Sequence, residues 1–302
     1  IEITSVSTWT VNNCYATRAH KGRVFCMGDA IHRHPPSNGL GSNTSIQDGF
    51  NLAWKLAMVI NGHAGPGLLE TYTDERAPVA KQIVTRANQS IAEFKPIFAA
   101  LGLLDSIDPV KMQENMDRRC EDSPEAEQQR SALREAIAAK VYEFDAHGVE
   151  MNQRYKSSAV VTDGQPEPAF SRDPELHFEQ TTWPGARVPH AWLFDDANNT
   201  KVSTLDLCGH GRFTVLTGIG GQAWVDAARA IAAETGLPIA THVIGPRQQY
   251  QDHYGDWARA REVGDSGVVL VRPDHHVAWR AERMAADPEA ELRRVLRQIL
   301  HK

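Results

Sequence analysis

The sequence predicts an α/β protein of mixed, α+β character, divided into two parts near residue 175. Three observations carry that expectation. A compact apolar run at residues 23–27 stops at Gly28-Asp29 and leads through a Gly- and Pro-rich stretch into a helical pattern. The middle of the chain is mostly helical in its periodicity. Beyond residue 175, short apolar strands alternate with helices. A chain of 302 residues is long enough for two hydrophobic cores, so residues 1–175 and 176–302 are each expected to form a domain.

Taken in order, residues 1–12 alternate apolar and polar side chains and predict a strand, followed by a polar stretch of helical character to His20. Residues 23–27 predict a buried strand. Residues 30–43, rich in Gly, Pro, Ser and Asn, predict a loop. A helix is expected over 45–60, with Ile46, Phe50, Ala53, Trp54 and Ala57 repeating at three and four as its buried face. A longer helical region is expected over 68–100, interrupted near Pro78, and another over 123–144, where Ser123-Pro124 supplies an N-cap followed by Pro at the first helical position. Residues 155–170 read as irregular. In the second part, strands are expected at 191–194, 212–217 and 239–244, a helix at 223–235, a hairpin joining 267–272 to 276–280 around Pro273-Asp274, and a closing helix at 288–300.

Composition excludes several classes. The net charge of −6 and the lack of a basic stripe with interleaved aromatics argue against a nucleic-acid partner. No apolar run approaches the ~18 residues that cross a bilayer, so no membrane partner is expected. Cys14, Cys26, Cys120 and Cys208 are too scattered for a zinc pattern or a C-x-x-C pair, and suit a reducing cytoplasm. The chain opens without an initiator Met or a leader, and its start is expected to lie upstream.

The chemistry concentrates between residues 22 and 56. A strand delivers Gly28-Asp29 at its C-terminal end, where α/β sheets bind ligands. Gly28 permits close backbone approach, and the Asp29 carboxylate can hold polyol hydroxyls. Gly39-Leu40-Gly41 lets the backbone come near a flat ligand and leads into a helix start near Asn43, whose free N–H groups and positive dipole end favour an anion.

The ordered combination G-D-A-x-H-x-x-P-P-x-x-G-x-G-x-N-x-x-x-Q-D, from Gly28 to Asp48, resembles the second FAD-binding signature of the single-component aromatic hydroxylases, the class A flavoprotein monooxygenases. Within that family the wording of residues 6–12, 32–44 and 155–161 is closest to the bacterial phenol and chlorophenol hydroxylases, and the resemblance extends over nearly the whole chain. It implies FAD as cofactor, NADPH and dioxygen as co-substrates, and ortho hydroxylation of a (chloro)phenol through a flavin C4a-hydroperoxide. It further implies that Asp29 binds the ribityl chain, that Gly41, Ser42 and Asn43 present backbone N–H groups to the pyrimidine edge, that Gly28 and Gly39 count among the cofactor-binding residues by close backbone approach, and that Pro35 and Pro36 line the flavin face. The helix continuing through Gln47-Asp48 is expected to pack rather than react. Trp9 and Thr10 are candidates for the substrate pocket, although Trp9 reads equally well as ordinary sheet core. His32 and His34 read as supporting groups or as plain core or surface histidines. A homo-oligomer, dimer or tetramer, is expected.

Two features complicate that reading. The family's opening G-x-G-x-x-G element does not precede Gly28, so this chain is expected to be the C-terminal portion of such an enzyme, weak in FAD binding and inactive alone. Gly218-Ile219-Gly220-Gly221-Gln222-Ala223 fits a dinucleotide fingerprint, but the acidic residue expected after the next strand is replaced by Gly245-Pro246, and the order of elements resembles a thioredoxin-like domain without its redox cysteines. That domain is therefore expected to serve stability or dimerisation. Two other readings compete: a non-catalytic assembly module, and a thiol oxidoreductase, which the lack of C-x-x-C disfavours. Within the aromatic hydroxylases, a hydroxybenzoate or aromatic polyketide ring would be the alternative substrate.

Overall fold

The computed structural model describes residues 3–302. Ile1 and Glu2, part of the expected opening strand, lie outside the described residues. Residues 3–13 form no strand, and those from Ile3 to Thr10 are all exposed. Alternation supplies two faces, but a strand also needs a neighbour to complete its ladder, and none of the described segments runs beside this one.

Four two-residue strands follow: β1 (Cys14–Tyr15), β2 (His20–Lys21), β3 (Val24–Phe25) and β4 (His32–Arg33). β1 pairs with β4 and β2 with β3, both antiparallel. The stretch before His20 is thus extended rather than helical, and the run at residues 23–27 is no buried strand, because Val24 is 68% and Met27 51% exposed. A 3₁₀ turn, Gly28–Ala30, joins β3 to β4, and a second, Ser37–Gly39, precedes helix α1 (Leu40–Ile60). The helix starts five residues before the expected position. Gly39, at φ +62°, turns the chain into it with no side-chain cap, a conformation that glycine adopts without penalty.

Helix α2 (Gly67–Ala92) lies against α1 and runs through Pro78 without a break; the chain re-orients only at Glu93, before α3 (Phe94–Ala100). Next come α4 (Pro109–Asp117), capped by Asp108, and α5 (Pro124–Ala138), where the Ser123 side chain accepts a hydrogen bond from the Ala126 N–H at 3.2 Å, as the Ser-Pro signal predicts. The expected 123–144 helix is split, because α5 stops at Ala138 and α6 covers Val141–Phe144. α7 (His147–Met151) closes the helical region, and residues 152–191 are irregular.

The second part follows its expected elements closely. β5 (Trp192–Asp195), β6 (Thr200–Ser203) and β9 (Tyr250–Gln251) form a small antiparallel sheet, and α8 (Thr204–Leu207) follows β6. β7 (Phe213–Thr217), α9 (Gln222–Thr235) and β8 (Ile239–Val243) make a parallel crossover. After α10 (Asp256–Ala260) come the hairpin β10 (Val268–Val271) and β11 (Val277–Ala281), then α11 (Pro288–Leu300). The four-stranded sheet has the order β11-β10-β7-β8, with β10 antiparallel to β7, which is the thioredoxin-like connectivity expected from the sequence. Alternate side chains of its strands serve opposite faces. Val215, Val268 and Leu270 meet α9 and α11, whereas Leu216, Val269 and Val271 meet Leu193 and Trp257.

The first of these cores does not stop at residue 175. It takes in Trp54 and Met58 of α1 and Leu68 of α2, with Trp54 edge-on to Phe213 at 5.9 Å between centroids. The glycines at residues 218–221 are explained by packing. A Cβ on Gly218 would lie 2.6 Å from the Asp265 carbonyl and one on Gly221 would strike Thr217, while the Gly220 N–H already donates to the Asp265 carbonyl at 3.0 Å. The Asp265-Ser266 backbone packs directly on this turn. Cys208 is buried, and that burial pushes its thiol up to about 12, the reverse of what a redox cysteine needs.

Candidate cofactor site

The turn at Gly28–Ala30 and the start of α1 face each other across an open groove of about 500 Å³, within the size range of small-molecule sites. Gly28 stands at φ +62°, and a Cβ there would lie 2.9 Å from Ser45 Oγ, so any side chain at this position is strained. Its N–H donates to Asp48 Oδ2 at 3.1 Å. That bond fixes the turn so that Asp29 projects into the groove. The Asp29 side chain is exposed and makes no hydrogen bond among the described residues; only its backbone carbonyl is used, by Arg33 Nε at 3.1 Å. Opposite, the N–H groups of Gly41 and Ser42 precede the first i→i−4 bond of α1 and carry its positive dipole end. A Cβ on Gly39 would have no heavy atom within 4 Å, so the backbone there is open to a ligand.

The groove brings together Trp9, Asp29, Pro36, Gly39, Gly41 and Ser42 from the sequence candidates, with His32 and His34 also on its wall. It leaves out others. Pro35 is buried behind Pro36. Thr10 is exposed away from the groove wall, and its carbonyl accepts from the Asn12 side chain. Asn43 turns its side chain back to donate to the Gly39 carbonyl at 3.0 Å and borders a neighbouring cavity on the other side of α1. Trp9 belongs to no sheet core; it is 62% exposed over the groove.

Sequence reasoning missed what stands beneath this groove. The buried face of α1 is not the apolar set Ile46, Phe50, Ala53 and Ala57, which are all exposed. It includes Thr44, Asp48, Asn51 and Lys55, at spacings of four, three and four, alongside Leu52, Trp54 and Met58. These polar groups meet Glu75 and Arg76 of α2. Asp48 accepts from Arg76 Nε at 2.7 Å through Oδ1, and His32 Nε2 lies 3.0 Å from Oδ2. Glu75 binds Lys55 Nζ at 2.8 Å and both terminal nitrogens of Arg272, at 2.6 and 2.8 Å. Arg272 also grips Asp274, at 2.6 and 3.0 Å. Three cations and three carboxylates balance, which is the condition for burying them at all.

Burial raises the Asp48 carboxyl, but the hydrogen bond with His32 and the Arg76 charge outweigh it and hold the group below its usual range. Glu75 is likewise held well below its range, Arg272 outweighing burial. Lys55 is brought down to about 8 by burial, against the pull of Glu75. His276, wholly desolvated, is brought down to about 4 and is neutral near pH 7. The regular spacing of Thr44, Asp48, Asn51 and Lys55 was the available signal; their partners on α2 and the β10–β11 turn carry none that is local.

An exposed carboxylate without a partner suits a polyhydroxyl chain, and free helix N–H groups suit an electron-rich ring edge. Both open on one groove whose backbone is bare at Gly39, so the residues present fit the ribityl and pyrimidine portions of FAD. Among the described residues no cluster of three or more potential ligands could hold a metal ion, and no helix is long and apolar enough to cross a membrane.

Comparison with known proteins agrees with this geometry. Residues 1–87 match the FAD binding domain family and residues 181–302 the aromatic-ring hydroxylase C-terminal family. The chain is 57% identical to the 2,4-dichlorophenol 6-monooxygenase of Delftia acidovorans over 99% of its own length and 51% of that protein. It is 56% identical to the phenol 2-monooxygenase of Pseudomonas sp. strain EST1001, over 98% of the chain and 48% of that enzyme. Among solved structures, the flavin-dependent monooxygenase PieE, in complex with FAD and substrate, superposes with a TM-score of 0.91 at 51% identity, covering 99% of this chain and 51% of PieE. The chain spans about half the length of the relatives it matches. Residues 1–87 thus carry the FAD binding domain family's pattern and residues 181–302 that of the aromatic-ring hydroxylase C-terminal family, and over nearly its whole length the chain is similar to one half of the flavin-dependent aromatic monooxygenases.

Proposed function

We propose that this chain supplies the flavin-edge and C-terminal half of a monooxygenase that hydroxylates a phenol, with chlorinated phenols the leading substrates, at the ring carbon ortho to the hydroxyl, using NADPH and dioxygen. The observation that carries the reading is the unpaired Asp29 carboxylate facing the free N–H groups of Gly41 and Ser42 across one groove. The relative at 57% identity that acts on 2,4-dichlorophenol indicates the substrate class.

FAD, when bound, would supply the redox chemistry that activates dioxygen with electrons from NADPH, and the protein would supply placement. Asp29 holds the ribityl hydroxyls. The start of α1 stabilises negative charge at the pyrimidine edge, where reduction places it. Asp48 keeps the turn carrying Asp29 at one height by holding the Gly28 N–H. Trp9 and Pro36 line the groove and offer apolar surface to an aromatic ring. An ionised or strongly hydrogen-bonded phenol oxygen donates electron density to its ortho carbons, which explains the position attacked. The same reading makes the enzyme a cytoplasmic homo-oligomer, in a compartment where NADPH is plentiful and four scattered cysteines stay reduced.

The test is a flavin-fluorescence titration of this chain beside the same chain joined to the N-terminal half of the Delftia relative, followed by NADPH consumption with 2,4-dichlorophenol. Tight FAD binding and phenol-stimulated NADPH oxidation by the joined protein support the reading. If the joined protein holds no flavin, the groove has another role, and an assembly module becomes the better description.

A further inference from the structure

A chain of direct contacts runs from the β10–β11 turn of the thioredoxin-like sheet to the Gly28 turn. His276, next to that turn, stacks on the Tyr155 ring at 4.1 Å between centroids and 25° between planes. The guanidinium of Arg272 lies 5.3 Å from the same ring. The Tyr155 backbone is held as well, its N–H donating to the Gly185 carbonyl at 2.9 Å, and a Cβ on Gly185 would come within 2.2 Å of the Tyr155 carbonyl oxygen. The phenol oxygen of this fixed ring accepts from Arg76 Nη1 at 2.9 Å. Arg76 in turn donates through Nη2 to the Thr44 carbonyl at 3.3 Å and through Nε to Asp48 Oδ1 at 2.7 Å. Asp48 Oδ2 accepts the Gly28 N–H. Tyr155, Arg76, Asp48 and His276 are all buried, so solvent neither screens these contacts nor replaces a lost partner.

We propose that Tyr155, with His276 and Arg272 behind it, is a positioning residue for the cofactor turn, so that the thioredoxin-like part of the chain sets the height of Asp29 although it touches no ligand there. A carboxylate with two equivalent oxygens can rotate about its side-chain torsion. Arg76, itself aimed by the Tyr155 hydroxyl, occupies one oxygen of Asp48 and leaves the other directed at Gly28, where His32 Nε2 also meets it. Without the hydroxyl, Arg76 keeps its charge but loses one of the acceptors that orient it, and the Gly28 bond loosens. The sheet that lacks redox cysteines thereby acquires a role at the flavin site. This inference rests on the groove being a FAD site, and its test separates the two claims.

The test uses Tyr155→Phe, which deletes one oxygen and keeps the stacked ring, and His276→Gln, which removes the stack. Leu193→Ala, in the core on the far face of the sheet, serves as the destabilised control. Amide hydrogen exchange of Gly28 is measured in this chain without any flavin. Exchange at Gly28 is expected to rise about 10-fold in Tyr155→Phe and to rise in His276→Gln, while Leu193→Ala leaves it unchanged under native conditions, because local opening and global unfolding are separate routes. FAD affinity, read by fluorescence titration of the same variants in the chain joined to its relative's N-terminal half, is expected to fall about 3- to 10-fold in Tyr155→Phe, the range for one hydrogen bond. Unchanged Gly28 exchange, or an equal rise in Leu193→Ala, overturns the relay. A rise in exchange with unaltered FAD affinity overturns its role at the cofactor. If the unsubstituted joined protein binds no FAD, it is the functional reading that fails, and the exchange data alone still decide the relay.

Discussion

Replacing Glu75 with Gln keeps the shape of the side chain and removes one of three buried negative charges. The Glu75 carboxylate accepts from Arg272 twice, from Lys55 and Asn51 at 2.8 and 2.7 Å, and from Ser157 Oγ at 2.6 Å. Arg272 retains Asp274 after the change, but Lys55, wholly buried, has Glu75 as its ion-pair partner and loses it. Breaking a buried pair from one side costs about 3–5 kcal/mol, because the remaining charge keeps its desolvation penalty. At about 2 °C per kcal/mol for a chain of this size, the melting temperature should fall by roughly 6–10 °C. Lys55→Met in the same background removes the stranded charge and should recover about 2 kcal/mol or more, a coupling measurable in a double-mutant cycle by urea or guanidinium denaturation. A loss below about 1 kcal/mol for Glu75→Gln, or simple additivity of the two substitutions, would refute the reasoning that the buried charges are held by one another.

Other expectations separate folding from binding. Asp29→Ala should leave stability within about 0.5 kcal/mol, since the carboxylate is exposed and unpaired, yet weaken FAD binding roughly 10- to 100-fold, as expected for a lost hydrogen bond to a charged group; equal losses in denaturation and flavin titration would contradict this. Gly28→Ala should cost about 1–3 kcal/mol in chemical denaturation, because φ is +62° and Ser45 Oγ stands 2.9 Å from the new Cβ. His276 ionises near pH 6.5 when unfolded and is brought down to about 4 by burial. Its contribution is therefore complete above pH 6.5 and is lost as pH falls toward 4, by about 3 kcal/mol in all. The stability difference between the natural chain and His276→Gln should shrink over that window and stay flat from pH 7 to 8. Cys14, Cys26 and Cys120 are exposed and Cys208 is buried, so a maleimide should label three thiols in the native chain and the fourth only on unfolding, counted by mass.

The thioredoxin-like part was readable because its signals are local. The apolar run of β10, the crossover helix α9 and the Asp-Pro start of α11 each follow from a few neighbouring residues, and the sheet's two faces follow from alternation. The candidate groove was readable for a similar reason. Asp29, Pro36, Gly39, Gly41 and Ser42 lie within fourteen residues, and two turns suffice to gather them. The exposed opening segment and the buried face of α1 were not readable. Hydrophobic periodicity assigned α1 a face made of Ile46 and Phe50, which are 70% and 49% exposed, because it counts Asp48 and Lys55 as solvent-facing. What makes them buriable is Glu75, Arg76 and an arginine 197 residues beyond Glu75. No window of sequence contains that pairing. Tyr155 lies in a family-like run, but its hydroxyl has meaning only once Arg76 is beside it.

The claim that this groove serves the hydroxylation of a phenolic ring is tested most directly by the product. The chain joined to its relative's N-terminal half should be given FAD, NADPH, 2,4-dichlorophenol and ¹⁸O-labelled dioxygen, and the organic product analysed by mass spectrometry. The expected result is 3,5-dichlorocatechol carrying one labelled oxygen, with formation abolished or greatly slowed by Asp29→Ala. Bound flavin and NADPH oxidation with no labelled catechol from any phenol tested would contradict the account.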